Sequence, residues 1–152
     1  MFLPTVKLEV PSGFKHDKRK EGWELVEEGP SLQVGQKLDF VEFLEEGEPL
    51  VSGKVMLARV KMIEGGVPGQ HQAEQMLDQK KKLPKEFKPY VLLFPGTQWR
   101  EYVGYSASQL CFPGLCWYGR RWYLRFCWLL GDFARDCRVA RFSVSSLGLL
   151  NL

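Results

Sequence analysis

The stretch Leu115-Cys116-Trp117-Tyr118-Gly119-Arg120-Arg121-Trp122-Tyr123-Leu124-Arg125-Phe126-Cys127-Trp128 decides the fold class. Large apolar residues recur there at every second position, Trp122, Leu124, Phe126 and Trp128, with Tyr123, Arg125 and Cys127 between them. Successive strand side chains point to opposite faces, so the pattern is that of a strand with one buried and one exposed face. Gly119 and Arg120 separate it from residues 115–118, and the two segments predict a β-hairpin that turns at Gly119. The exposed positions Cys116, Tyr118, Arg120, Tyr123, Arg125 and Cys127 then share one surface. Tyr and Arg supply contact area and hydrogen bonds at modest entropy cost, so that surface is chemically suited to binding.

Working outward from the hairpin, Tyr90-Val91-Leu92-Leu93-Phe94 is an apolar strand stopped by Pro95-Gly96, with Thr97-Gln98-Trp99-Arg100 as its exit. Residues 70–82 (QHQAEQMLDQKKK) predict a helix with Lys80, Lys81 and Lys82 at its C-terminal end, where cations favour the dipole. Its apolar face, Ala73, Met76 and Leu77, is small and suits the covering of a sheet edge. Residues 51–63 (VSGKVMLARVKMI) read as a strand, because Gly53 and the β-branched residues weigh against a short helix. Residues 38–44 and 5–10 read as further strands, and Trp23, Leu25 and Val26 precede a Gly29-Pro30 turn. The expected architecture is α+β: one domain over residues 1–152, mostly β with one or two helices.

Composition divides the chain. Residues 1–109 hold all 12 Lys, all 13 Glu, all 8 Gln and all 4 Met, and residues 110–152 hold none of these. The second part carries instead all 4 Cys, 6 Arg, 3 of the 5 Trp and only two acids, Asp132 and Asp136. Surfaces ordinarily use Lys and Glu heavily because both solvate well, so their absence from such a stretch needs a cause. The net charge of +3 is too small for an electrostatically driven nucleic-acid binder, and nucleic acid is not the expected partner. No run of 18 apolar residues and no secretory leader is present, so the sequence reads as soluble and cytoplasmic by default.

The chemistry of common enzymes is missing. There is no phosphate loop, GxGxxG, HExxH or GxSxG, and His16 and His71 stand far apart. Cys111, Cys116, Cys127 and Cys137 form no CxxC pair and have no histidine near them in sequence, so neither metal nor cofactor is expected. A Cys116–Cys127 bridge across the hairpin and four free thiols both remain open at this point.

Residues 93–141 resemble the C-terminal part of the variable proteins of diversity-generating retroelements. The resemblance lies in Phe94-Pro95-Gly96-Thr97-x-Trp99-Arg100, in Pro113-x-Leu115-x-Trp117-x-Gly119-x-x-Trp122-x-Leu124-x-Phe126-x-Trp128-Leu129, and in Arg138-Val139-Ala140-Arg141. Such systems copy a template repeat with errors opposite adenine and write it back into the gene. Randomised AAC or AAT codons become NNC or NNT, which never encode Lys, Glu, Gln, Met or Trp. The resemblance thus implies a diversified set, Cys116, Tyr118, Arg120, Tyr123, Arg125, Cys127, Asp132, Ala134, Arg135, Asp136 and Cys137, with Gly114, Leu130 and Gly131 as additions. Trp99, Trp117, Gly119, Trp122, Leu124, Phe126, Trp128 and Arg138 are then scaffold. It also implies a C-type-lectin-like fold with a Trp-rich C-terminal hairpin, residues 1–109 as scaffold, 110–141 as the variable binding region and 142–152 as an apolar tail. The implied activity is recognition without catalysis, the partner being a protein or other macromolecule of unspecified identity.

Other readings compete. Residues 110–152 can be an ordinary Trp-rich sheet that happens to lack Lys and Glu. The turn and strand pattern at Trp23-Glu24-Leu25 and Val34-Gly35-Gln36-Lys37-Leu38 resembles small PUA-like or ASCH-like barrels that bind RNA or nucleotides, with Lys15, Lys18, Arg19 and Lys20 as phosphate contacts. A frameshifted C-terminus would enrich Cys and Arg, but the regular period-2 placement of Trp, Leu and Phe is hard to obtain from a wrong frame.

Overall fold

The structure, a computed structural model, describes residues 13–33 and 35–143. The strand expected at residues 5–10, Val34 and the tail from residue 144 lie outside the described residues. In chain order the elements are β1 (Glu24–Glu27), β2 (Leu38–Val41), β3 (Leu50–Ser52), α1 (Gly53–Lys61), α2 (Gln70–Asp78), β4 (Val91–Leu93), β5 (Gln98–Val103), β6 (Ala107–Tyr118), β7 (Arg121–Trp128), β8 (Asp132–Ala134) and β9 (Cys137–Phe142). Short 3-10 turns lie at Lys18–Glu21, Lys80–Lys82 and Lys85–Phe87. The expected α+β class, mostly β with two helices, is the observed one.

Seven strands form one mixed sheet in the order β1-β5-β6-β4-β9-β2, with β7 added beside β6, while β3 and β8 pair separately. β6 is the spine. It pairs with β7 from Cys111↔Trp128 to Tyr118↔Arg121 along one edge. Its other edge takes β5 from Cys111 back to Ala107 and β4 at Gly114 and Leu115. β4 runs parallel to β9, and β9 closes the sheet against β2 through Leu38↔Phe142 to Val41↔Val139.

The sheet is buried on both faces, and its strands therefore alternate between two cores. Leu92, Leu115, Trp122 and Ala140 pack with Phe94 and with Ala73 of α2 on one face. Leu93, Phe112, Cys127 and Val139 pack on the other with Met56 and Val60 of α1, Val51 of β3 and Phe133 of β8. A strand buried on both sides loses the apolar–polar alternation, which is why residues 90–94 read as one unbroken apolar run. The helix at 70–78 thus covers a sheet face and not an edge. It also stops at Asp78, and Lys80–Lys82 is a separate turn.

Residues 51–63 are the main correction. Only Leu50–Ser52 is strand; Ser52 then caps a helix by accepting the Val55 N–H at 3.4 Å, and Met56 and Val60, one helical turn apart, enter the core. Gly53 marks a close approach: a Cβ there would sit 1.7 Å from the Leu129 carbonyl oxygen. Its N–H donates to the Gly131 carbonyl at 3.1 Å, so the start of α1 is fastened to the turn between β7 and β8. Strand β2 is also shorter than expected, ending at Val41, and β5 extends the segment read as an exit at residues 97–100 into a full strand.

Gly53→Ala is expected to destabilise the fold by about 3 kcal/mol, since the obstruction is backbone with no flexible side chain to yield. Lys54→Ala, exposed and one residue on, is expected to stay within about 0.5 kcal/mol. Urea unfolding of both variants measures the difference; equal midpoints would refute the close-contact argument.

Candidate recognition site

The hairpin forms as read. Gly119 and Arg120 have φ of 59° and 76°, the paired left-handed conformations of a two-residue turn that matches strand twist. Its register places Leu115, Trp117, Trp122, Leu124 and Phe126 on one face and Cys116, Tyr118, Arg121, Tyr123, Arg125 and Cys127 on the other. Arg121 opposes Tyr118 and belongs to the second face, a position the sequence reading assigned to Arg120, which occupies the turn. Counting back by two from Tyr123 would have found it.

The second face is most open near the hairpin turn. Tyr118 is 76% exposed, Arg121 and Arg125 are exposed, and Cys116 and Tyr123 are half-buried. Toward the other end, β3, β8 and α1 cover the same face. Cys127 and Cys137, expected on display, are buried there beside Phe112 and Phe133. A thiol side chain is small and apolar enough to serve in a core, so cysteine in an alternating pattern fits either face. The first face departs from expectation in the opposite sense. Trp122 is buried, Trp117, Leu124 and Phe126 are half-buried, and Trp128 is 56% exposed, because nothing described covers it at the end of β7. Trp117 holds the Lys88 ammonium 4.0 Å from its ring centroid, and Phe126 packs edge-on against Trp23.

Where β7 turns into β8, a cleft of about 530 Å³ opens along the second face. Arg125, Cys127, Asp132, Ala134, Asp136 and Cys137, all members of the expected set, line it together with Val91 and Leu93 of β4 and Phe133. Val91, Leu93 and Phe133 had no signal marking them as site residues, since they are ordinary core types. Cys116, Tyr118 and Tyr123 continue the face toward the hairpin tip. Arg135 lies apart, on a smaller cleft of about 370 Å³ with Glu42, Glu46 and Arg138. Of the three additions, Leu130 is exposed, Gly131 is half-buried and Gly114 is buried, where a Cβ would lie 3.1 Å from the Cys127 sulfur.

Arg138 fastens the turn between β8 and β9. Its guanidinium donates to the Arg135 carbonyl at 2.5 Å, to the Cys137 carbonyl at 2.9 Å and to Glu42 at 3.0 Å, and stacks on Tyr90 at 4.3 Å. Trp99 is fully buried, and its indole N–H donates to Gln70 Oε1 at 2.7 Å.

The thiols are free, and the register excludes a Cys116–Cys127 bridge. Cys127 opposes Phe112, four residues from Cys116, which separates the two by about 13 Å along the strand. Burial raises the Cys127 thiol, with the neighbouring Arg125 pulling the other way. Burial pushes Cys137 up to about 11 and Cys111 up to about 12, with the carboxylates of Asp136 and Glu101 adding to the respective effects. At neutral pH these three are protonated and poor nucleophiles. Among the described residues no three His, Cys, Asp or Glu side chains gather as metal ligands.

The basic segment assigned to phosphate in the barrel reading is largely neutralised. Lys15 pairs with Asp78, Lys18 with Glu21, and Arg19 with Asp17 at 2.7 Å. Among the described residues no helix is long and apolar enough to cross a membrane. Compared with known protein families, with characterised proteins and with solved structures, the chain matches none.

Thiols whose folded values lie above the ordinary 9.0 leave stability unchanged below pH 9 and erode it above, because the unfolded chain then sheds protons that the folded chain retains. Melting temperature is therefore expected to fall from pH 9 toward 12, and less steeply in a Cys111→Ala, Cys137→Ala variant. Parallel curves for the two proteins would refute the assignment. In a thiol-reagent titration Cys116 is expected to react first, the other three following only on unfolding.

Proposed function

We propose that this chain is a non-enzymatic recognition protein whose binding surface is the second face of the β6–β7 hairpin together with the cleft beside β8, diversified by a retroelement. The observation that carries the reading is the coincidence of two independent features. The segment devoid of Lys, Glu, Gln and Met supplies the exposed hairpin residues Tyr118, Arg121 and Arg125, the half-buried Tyr123 and most of the cleft wall. Its Trp, Leu and Phe frame supplies the opposite, packed face.

Physical tolerance supports the same division. A varied side chain is compatible with a stable fold only where it contributes little to the core, and the turn-proximal half of the face meets that condition. A rigid backing meets the complementary need for fixed geometry: α2 packs under β6 and β7 through Ala73, so replacements on the open face leave the strand positions unchanged. The C-type-lectin-like assignment rests on the sequence frame, and a mixed scaffold with its display on the C-terminal hairpin agrees with it.

The reading is tested in the DNA. Codons for the displayed positions are expected to end in C or T, and a near-copy of the segment encoding 110–141, differing mainly at adenines, is expected beside a reverse-transcriptase gene. In sister copies positions 118, 123 and 125 should vary widely, whereas 127 and 137, being buried, should keep small residues such as Cys, Ala, Gly, Ser and Val. Arbitrary third bases and no repeat would end the retroelement reading.

A further inference from the structure

The nine arginines divide into two groups by partner. Arg19, Arg59, Arg100, Arg138 and Arg141 each lie within 4 Å of a carboxylate, on Asp17, Glu48, Glu24, Glu42 and Asp39 respectively. Arg120, Arg121, Arg125 and Arg135 are exposed and have no such partner among the described residues, although Asp132 and Asp136 belong to the same region. Three of the four lie on the hairpin. Arg121 and Arg125 share its open face with Tyr118 and Tyr123, and Arg120 sits in the turn. The Arg121 guanidinium stacks on the Tyr123 ring at 4.4 Å, and among the described residues no carboxylate takes its N–H donors.

A guanidinium with no carboxylate of its own is a receptor for a planar oxyanion. Arg121, stacked on Tyr123, and Arg125, set against the thiols of Cys116 and Cys127, are two such groups about 13 Å apart on one strand. We propose that the open half of this face, Tyr118, Arg121, Tyr123 and Arg125 with Arg120 at the turn, docks an acidic segment of another protein through its Asp and Glu carboxylates. The proposal rests on the reading of this face as the recognition surface, but not on how its residues arose. A polynucleotide fits less well. Its continuous phosphate charge would run past Asp132 and Asp136 in the adjoining cleft, whereas spaced carboxylates on a peptide avoid them. The face also lacks lysine altogether, and the charge of the whole chain is only +3.

The full chain is to be passed over immobilised poly-L-glutamate and, separately, over immobilised polyuridylate at equal ionic strength. Retention is expected on poly-L-glutamate and is expected to weaken about tenfold in Arg121→Gln, Arg125→Gln, a change that keeps the side-chain stems. Replacing the exposed Lys80, Lys81 and Lys82 by Ala removes more charge and is expected to alter retention less than about twofold. Melting temperatures of both variants confirm folding; should the glutamine variant melt early, Arg121→Lys, Arg125→Lys, which keeps charge but loses the planar fork, replaces it and is expected to show a similar loss. Retention indifferent to the arginines, a larger loss from the lysine variant, or stronger retention on polyuridylate would each overturn the proposal. Arginine-dependent retention without a template repeat in the DNA keeps the docking and removes the retroelement; a repeat with indifferent retention does the reverse.

Discussion

Everything that places the hairpin depends on a buried polar clamp at the turn between β4 and β5. The Gly96 N–H donates to the Pro68 carbonyl at 2.9 Å, and the Gln70 N–H at the start of α2 donates to Thr97 Oγ1 at 2.7 Å. The Thr97 hydroxyl in turn donates to the Glu28 carbonyl at 2.5 Å, and the Gln72 amide donates to Pro30 at 3.0 Å. Three segments far apart in sequence thereby interlock. No side chain fits between them: a Cβ on Gly69 would lie 2.2 Å from Thr97 Oγ1, and one on Gly96 2.2 Å from the Val67 carbonyl. Gln70, fully buried, completes the clamp by accepting from Trp99 and donating to the His16 carbonyl at 2.8 Å. Such a network contributes little per bond but costs dearly when one member is lost, since the remaining groups stay buried and unpaired.

The clamp has a directional consequence. With the first turn of α2 held against the β4–β5 turn, the helix has one sheet face available, and Ala73 brings it down on Leu115 and Trp122. The other face is left to α1 and the β3–β8 ladder, which reach only part of it. The uncovered remainder is the candidate site. The sequence motif at residues 94–100, read as a family mark, therefore has a mechanical meaning: Phe94 fills the core, Gly96 permits contact, Thr97 caps the helix and Trp99 seals the network.

Legibility followed range. The hairpin, strand β4 and the division of β7 into two unlike faces are local patterns readable from spacing, and helix α2 is readable from its helix-forming residues, though its end is not. Helix α1 was missed because Gly53 looked like a strand residue, while its true cause, the Leu129 carbonyl, lies 76 positions away. The burial of Cys127 and Cys137 was missed for a related reason. Period-2 alternation states that two faces differ, but what covers each is decided by β3 pairing with β8, which no local pattern announces. Cysteine, equally at home in a core or in a randomised codon, leaves the ambiguity unresolved.

The arginines carry the remaining step. Arg138 and Arg141 belong to the same Lys-free segment as Arg121 and Arg125, so composition cannot distinguish them. Their surroundings do. Arg138 and Arg141 lie on β9 and face carboxylates supplied by the N-terminal part, Glu42 and Asp39, as residues fixed together with a scaffold would. Arg121 and Arg125 face tyrosine and cysteine from their own segment, with no carboxylate ion-paired to either among the described residues. A folded chain gains from pairing its buried and half-buried charges, and gains little from pairing exposed ones. Charges left unpaired on an ordered, solvent-facing strand thus cost the fold almost nothing, which is the condition under which such a face can be altered from copy to copy while the frame beneath it stays the same.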